Sequence, residues 1–159
     1  MLKLVKLFIY NFYVLIIYVW RDGCIMTRHE LRYKTMTILY QAFLYENNNI
    51  EYSIDGIISE QLDGNDKFVS DLVNGVISKK IEIDELANKY LEDWDISRLG
   101  FTDQAIIRMG IYEIMWTDTP DVTCIDEAVE LAKEYSDEKV CKMINGVLDK
   151  VYHSKGKNE

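Results

Sequence analysis

Proline and glycine are scarce in this chain, whose 159 residues include one proline and eight glycines. Sandwiches and barrels of short strands need frequent turns, which these two residues commonly form. The chain therefore lacks the turn pattern of an all-β fold. Its 48% hydrophobic residues, with 12% aromatics, are enough to fill one ordinary core. We expect a single all-α domain.

Cysteine and histidine are also scarce. The three cysteines show no CxxC or zinc-ligand spacing, and His29 and His153 are the two histidines. Because an odd cysteine count does not make a disulfide framework, we expect buried or indifferent thiols in a reducing cytoplasm. The motifs HExxH, GxSxG and GxxxxGK[ST] are absent from the sequence as well. We predict a protein that is not an enzyme and that holds no metal or cofactor.

Positive charge is in short supply, since the formal net charge is −9. Phosphate binding depends on Lys and Arg displacing counterions, so any nucleic-acid site has to be local. The acidity suits a basic protein partner, because opposite potentials steer encounter. Glu127, Glu130 and Glu134 lie at helical spacing, which indicates a solvated helix face in preference to an acid–base or metal site.

The first 25 residues differ from the rest. Residues 7–20 are nearly unbroken apolar sequence behind Lys3 and Lys6, which is typical of a secretory signal. This run is shorter than the roughly 18 residues that a membrane-spanning helix needs, and no small-residue cleavage site follows it. We predict that translation starts at Met26. A membrane-associating extension and a cleaved or packed segment are the alternatives.

The sequence after Met26 shows apolar residues at steps of three and four, which predicts amphipathic helices. Residues 102–116 are apolar on most sides, so we expect this helix to lie centrally. We expect residues 26–152 to form the domain and residues 153–159 a polar, frayed tail. The helical stripes are residues 31–45, 68–77, 83–94, 102–116, 125–132 and 140–151, and asparagines 47–49 end the first.

Short polar residues at the starts of three of these helices are candidate caps. The central segment opens with Thr102 and Asp103, and Thr123 with Asp126 fits a capping pattern for the next helix. Ser136, Asp137 and Glu138 suit the start of the last helix. These residues predict where the helices begin.

An ordered set of sequence blocks resembles the NusB family, the transcription antitermination and ribosomal-RNA-synthesis factors of bacteria. The closing block Asn-Gly-Val-Leu-Asp and the block from Arg108 to Glu113 are fairly specific, and each block alone would be weak. The resemblance spans residue 27 to about residue 152. Its blocks are Arg32 with Leu39 and Tyr40; Phe68 with Asp71, Leu72, Gly75 and Val76; residues 105–108 with Tyr112 and Glu113; residues 125–128; and residues 145–150.

The resemblance implies a compact bundle of about seven helices in two halves. It also implies a cytoplasmic RNA-binding antitermination factor that acts on boxA RNA during ribosomal RNA synthesis. Its implied partners are NusE, a small-subunit ribosomal protein, and the transcription elongation complex. No association with a membrane is implied. Self-association and the preferred RNA sequence stay open.

In that family the start of the first helix is arginine-rich and touches RNA, which here places the contact at Arg28, His29, Arg32 and Lys34. Arg28 and Arg32 are four residues apart, so a helix projects both guanidinium groups from one side, toward phosphates or bases. His29 and Tyr33 offer stacking surfaces. Glu30 departs from the family, which tends to carry a further basic residue at this position, and its charge opposes phosphate.

The resemblance also assigns residues in the second half. Lys142 and Asn145 match positions near the RNA, although Asn145 beside Gly146 equally fits a structural role at a close helix contact. Asp103 matches an acidic position that faces the basic ribosomal protein. Arg108 and Glu113 fit buried structural polar residues better than contacts.

Three other functions remain open from the sequence. One is a helical protein-interaction module, and another is a stand-alone RNA-binding domain related to the one found in ribosomal-RNA methyltransferases. The third is an unrecognised enzyme, which a co-purified metal or small molecule would favour.

Overall fold

The computed structural model describes residues 25–156. That part of the chain folds into seven α-helices and one short 3-10 helix, and it contains no strand, which confirms the predicted all-α fold. Residues 1–24 and 157–159 lie outside the described residues, and with them most of the predicted apolar extension. The helices are α1 (Arg28–Asn47), α2 (Ile54–Gln61), α3 (Lys67–Ser78), α4 (Lys80–Tyr90), the 3-10 helix (Ile96–Arg98), α5 (Phe101–Trp116), α6 (Asp121–Tyr135) and α7 (Glu138–Lys155).

Helix α1 begins with a capping box. The Thr27 hydroxyl accepts a hydrogen bond from the Glu30 backbone N–H, and the Glu30 carboxylate accepts one from the Thr27 backbone N–H. Each bond satisfies a backbone donor that lacks a partner inside the helix. The helix ends at the predicted asparagines, where Asn49 has a φ of 54°, in the left-handed region.

The first half of the bundle consists of α1, α2 and α3. Helix α2 has no counterpart among the predicted stripes, yet Ser53 caps it and Ile57 and Ile58 bury against α1. Asp66 caps α3, whose predicted apolar stripe is confirmed. The buried members of that stripe are Val69, Leu72, Val73 and Val76.

The second half consists of α4 to α7. Helix α4 ends at Tyr90, so the predicted extension of its stripe to Trp94 is wrong: Trp94 lies beyond the helix and is 47% exposed. Helix α7 carries the predicted stripe and is capped by Asp137, as expected. It continues through Lys155, whose ammonium donates to the Ile114 carbonyl at 2.7 Å.

Helix α5 is central, as its apolar sequence predicts. It packs against α1, α3, α4, α6 and α7 and joins the two halves in one core. Gly75 of α3 allows a close approach to α5, because a Cβ at this position would lie 2.1 Å from the Tyr112 ring.

Two predicted helix starts are wrong. Helix α5 starts directly after Gly100, which has no side chain to cap it, so Thr102 and Asp103 lie inside the first turn. Helix α6 starts at Asp121, behind Pro120, so Thr123 and Asp126 are helical residues. Among residues 25–156, no helix combines the length and apolar character needed to cross a bilayer.

Candidate nucleic-acid interface

The amino-terminal turn of α1 displays one exposed cation on an aromatic ring. Arg28 is exposed, and its guanidinium carbon lies 4.3 Å from the centroid of the Phe68 ring of α3. A cation over a ring face is attracted by the ring quadrupole, which restrains a long side chain while its charge stays in solvent. Arg28 is therefore held at the surface in an ordered position.

A groove runs beside this turn. Its volume is about 870 Å³, and Arg28 and Lys34 line one side. The opposite side comes from the connection between α2 and α3 and includes Asp63, Asn65 and Asp66. The two cations thus share a concave surface with two carboxylates, which limits its attraction for an anion.

Arg32 departs from its predicted role. Its guanidinium shares the Phe68 side of the helix with Arg28, at 5.3 Å from the ring centroid, but its side chain is 4% exposed. It forms a two-pronged pair with the carboxylate of Glu113 on α5, with Nε–Oε2 at 3.0 Å and Nη2–Oε1 at 2.8 Å. Arg32 is thus corrected from an exposed phosphate ligand to an internal residue that ties α1 to α5.

The charge of Arg32 is retained in this interior. Burial disfavours the charged form, but the hydrogen bonds and negative charge of Glu113 outweigh burial and raise the pKa of Arg32. Glu127 of α6 adds a second carboxylate, with its Oε2 3.8 Å from Arg32 Nη1. The first turn of α1 is therefore bound to both α5 and α6.

His29 joins the same network. Its Nδ1 lies 2.9 Å from Glu127 Oε2, and its side chain is 40% exposed. Glu127 thus bridges His29 and Arg32, so its predicted place on a freely solvated face is wrong. Glu130, one turn later, does lie on that face, where it pairs with Lys133.

Glu30 has a structural reason to be acidic. It is the third residue of the capping box, and its pKa is lowered by the hydrogen bond from the Thr27 backbone N–H and by the Thr27 hydroxyl. The sequence Thr-x-x-Glu before an apolar stripe is a known signal for such a cap. This cap was not among the predicted ones, and Glu30 was interpreted from the sequence only as a departure from the family.

The second predicted patch lies in a groove between α6 and α7. Lys142 and Asn145 line it together with Lys133 and Ser136, so the structure does bring the two predicted residues together. Lys142 also pairs with Glu138 at 2.6 Å on the exposed face of α7. The cations in this groove remain solvent-accessible.

Asn145 and Gly146 do not show the predicted close helix contact. Asn145 is exposed, and its side chain makes no hydrogen bond within residues 25–156. No atom of a neighbouring helix lies within 4 Å of the place where a Cβ on Gly146 would stand. The structure therefore does not support a role for this pair at a close helix contact, and a binding role for Asn145 stays a prediction.

Helix α6 separates the two patches. It packs against α1 on one side and α7 on the other. The exposed surface of α6 carries the carboxylates of Asp126, Glu130 and Glu134. An RNA strand that ran from α1 to α7 over α6 would pass these carboxylates.

Asp103 lies in a different groove, of about 570 Å³, between the start of α5 and α7. It is half-buried and accepts a hydrogen bond from the Ser136 hydroxyl. The exposed ring of Trp94 forms part of the wall, and Gly146 and Lys142 line the α7 side. Lys142 therefore borders both this groove and the one that holds Asn145.

Arg108 and Glu113 are buried, which confirms their predicted structural character. Arg108 pairs with Asp84 of α4, with Nε–Oδ1 at 2.7 Å, and also donates to Gln104. Each residue thus connects α5 to a neighbouring helix.

Cys124 is buried next to the Arg32–Glu113 pair. Burial, followed by the negative charge of Glu113, raises the pKa of the Cys124 thiol to about 12. The thiol is therefore protonated at neutral pH and is a poor nucleophile. Within the described range, no cluster of three or more His, Cys, Asp or Glu residues is placed to hold a metal ion.

Comparison with known proteins matches this chain to one family over most of its length. The NusB family model matches residues 29–153. Transcription antitermination protein NusB of Campylobacter jejuni (strain RM1221) is 40% identical over 131 residues, which are 81% of this chain and 98% of that protein. The protein of the same name from Macrococcus caseolyticus is 36% identical over 132 residues, covering 82% and 99%.

Solved structures agree with this match. T. maritima NusB superposes with a TM-score of 0.70 at 29% identity, over 80% of this chain and 92% of that one. A chain from a crystal structure of the antitermination factors NusB and NusE in complex with dsRNA superposes with a TM-score of 0.67, over 81% and 99%. At 24% identity, this superposition shows a shared fold alone.

Proposed function

Because the chain belongs to the NusB family, we propose that it is a cytoplasmic antitermination factor that binds boxA RNA together with NusE during ribosomal RNA synthesis. In this proposal it acts as an adaptor within the transcription elongation complex and carries out no reaction itself. The names of its relatives support the antitermination role. The exposed cations described above and the NusB–NusE–dsRNA complex that shares its fold support RNA and NusE as partners, and boxA is what the family resemblance implies.

The ordered position of Arg28 is the observation that carries RNA binding. Its guanidinium is exposed, rests on Phe68, and shares a groove with Lys34. A guanidinium can donate paired hydrogen bonds to a phosphate and can stack on a base, so one such residue serves both kinds of contact. Lys142 and Asn145 would supply the second part of the site.

In the proposal, His29 and Arg32 support this surface through bonds within the domain and do not contact RNA. Their bonds to Glu127 and Glu113 fix the first turn of α1 on α5 and α6. A fixed first turn keeps Arg28 in place before RNA arrives, which reduces the ordering cost of binding. Their contribution to affinity is therefore positional.

The groove that contains Asp103 is the proposed NusE surface. Trp94 offers apolar area there, and Asp103 offers a half-buried carboxylate to a basic protein. The rim also carries the cations Arg98, Lys139 and Lys150. NusE docking should then depend on burial of Trp94 as well as on charge.

The test is a titration of labelled single-stranded boxA RNA with the full chain, with and without NusE, over a range of salt concentrations. Wild type should bind, and NusE should strengthen binding. Arg28→Ala should lower the slope of log affinity against log salt by about 0.7, the value for one lost phosphate contact on a single strand.

Lys80→Ala is the matched control for charge removal. Lys80 pairs with Glu46 at the opposite end of α1, about 27 Å from Arg28 at the usual helical rise. Its loss should leave affinity and salt slope unchanged. Equal effects of Arg28→Ala and Lys80→Ala, or an RNA affinity that NusE does not change, would contradict the proposal. A protein-interaction module would bind NusE with no RNA affinity at all.

A further inference from the structure

The two proposed RNA patches are connected by an aromatic pair. Tyr33 of α1 and Tyr135, the last residue of α6, stack with ring centroids 5.3 Å apart and planes 24° apart. Tyr33 lies within the basic segment, between Arg28 and Lys34 in the chain. Tyr135 precedes Ser136, which lines the α6–α7 groove with Lys142 and Asn145.

Tyr135 is exposed to solvent although its ring stacks on Tyr33. It is 42% exposed, whereas Tyr33 is half-buried and packs against the core. Tyr33 therefore provides the packing between α1 and α6, and Tyr135 presents ring surface to solvent. The contact with Tyr33 restrains the Tyr135 side chain before any ligand is present.

We infer that Tyr135 is a stacking platform for an RNA base that lies between the Arg28 patch and the Lys142 patch. Unpaired bases stack on exposed aromatic rings in proteins that bind single strands. This inference rests on the proposed RNA-binding function and adds a residue to it.

The charges around Tyr135 favour a base over a phosphate. Glu134 precedes it, and Glu130 lies one turn earlier on the same acidic helix surface. Phosphate is repelled there, while a base presents an uncharged π-face. A strand that crosses α6 would therefore turn a base toward Tyr135 and keep its phosphates nearer Arg28, Lys133 and Lys142.

The expected effect of Tyr135→Ala is a loss of RNA affinity of about 5- to 150-fold, the range for removal of an aromatic partner from one stacked base. The salt slope should stay at the wild-type value, because the ring carries no charge. Tyr135→Phe keeps the ring and should bind as wild type does. In contrast, Arg28→Ala should lower both affinity and slope.

Tyr52→Ala is the matched control. Tyr52 also belongs to an aromatic pair with a residue of α1, with its ring centroid 6.0 Å from that of Tyr45. Tyr45 lies 12 residues beyond Tyr33 in α1, about 18 Å along the helix. Loss of this ring should leave RNA affinity unchanged. Thermal unfolding of each variant shows that the fold is retained.

A series of boxA RNAs, each with one abasic site, identifies the base. One abasic position should weaken binding to wild type and have no further effect on Tyr135→Ala, which is the coupling expected of a direct contact. The inference is overturned if every abasic position acts equally on both proteins, or if folded Tyr135→Ala binds as wild type does. Failure of wild type itself to bind RNA would overturn the proposed function instead.

Discussion

Removal of the Glu113 charge is the sharpest perturbation of this domain. Glu113→Gln keeps the shape of the side chain and turns one carboxylate oxygen into an amide group. The Arg32 guanidinium, 4% exposed, would then face a neutral partner that directs N–H groups at it. Its nearest carboxylate would be Glu127, 3.8 Å away.

The cost follows from the burial of both partners, whose side chains are 4% and 2% exposed. Breaking a buried ion pair by changing one partner costs about 3–5 kcal/mol, because a charge stays behind in the interior. A domain of about 130 residues loses about 4 °C of melting temperature per kcal/mol. Glu113→Gln should therefore lower the melting temperature by about 12–20 °C.

Thermal and urea unfolding followed by circular dichroism measure this change. The control is Glu130→Gln, which breaks the exposed pair between Glu130 and Lys133 and should cost less than about 1 kcal/mol. Equal midpoints for the two variants would refute the description of Arg32 and Glu113 as a desolvated pair.

A double variant then decides what Arg32 does. Arg32→Met with Glu113→Leu replaces both charges by apolar groups and should recover most of the lost stability. If Arg32 acts only by holding the first turn of α1 on α5, apolar packing of the two new side chains against each other should hold it as well, and this stable variant should keep RNA affinity close to that of wild type. A stable double variant that loses RNA binding as strongly as Arg28→Ala would show that Arg32 touches RNA directly.

Three further outcomes test the packing and the cap. Gly75→Ala should cost about 1–3 kcal/mol, because its Cβ would lie 2.1 Å from the Tyr112 ring; an unchanged urea midpoint would contradict that close approach. Gly146→Ala, with no atom of a neighbouring helix within 4 Å, should stabilise α7 by about 0.5–1 kcal/mol, and a lower midpoint would argue against the open surface. Hydrogen bonds with Thr27 lower the pKa of Glu30. The Glu30 carboxylate therefore stabilises the fold above its ordinary pKa of 4.5, and this stabilisation is lost as the pH falls through the lower pKa of the folded state. The difference in urea midpoint between wild type and Glu30→Ala should accordingly be clear at pH 7 and shrink as the pH falls below 4.5. A difference that stays constant over this pH series would refute the prediction.

The helical fold could be predicted because its cause is local. The apolar steps of α1, α3 and α7 mark faces that bury in the core, and the apolar character of α5 marks it as central. Helix α2 was not predicted because its eight residues bury only Ile57 and Ile58. Two adjacent apolar residues do not show the spacing of three and four that predicts a helix. The start of α6 was misplaced because Pro120 supplies no side-chain cap.

The candidate site was predictable in position but not in detail. Spacing alone placed Arg28 and Arg32 on one side of α1, which the shared Phe68 ring confirms. Spacing could not show that Glu113, 81 residues away, lies opposite Arg32. Long-range pairs of this kind depend on the helix packing, so a sequence pattern does not distinguish a buried arginine from an exposed one.

The pairing of Arg32 changes how the isolated domain should bind RNA. With Arg32 internal and His29 bonded to Glu127, Arg28 and Lys34 are the cations that remain for phosphate at the start of α1. Lys133 and Lys142 lie beyond the acidic surface of α6 and are paired with Glu130 and Glu138. Few available cations imply a shallow salt dependence. In the proposed complex, stacking on Tyr135 and cations of NusE would then supply a larger share of the affinity.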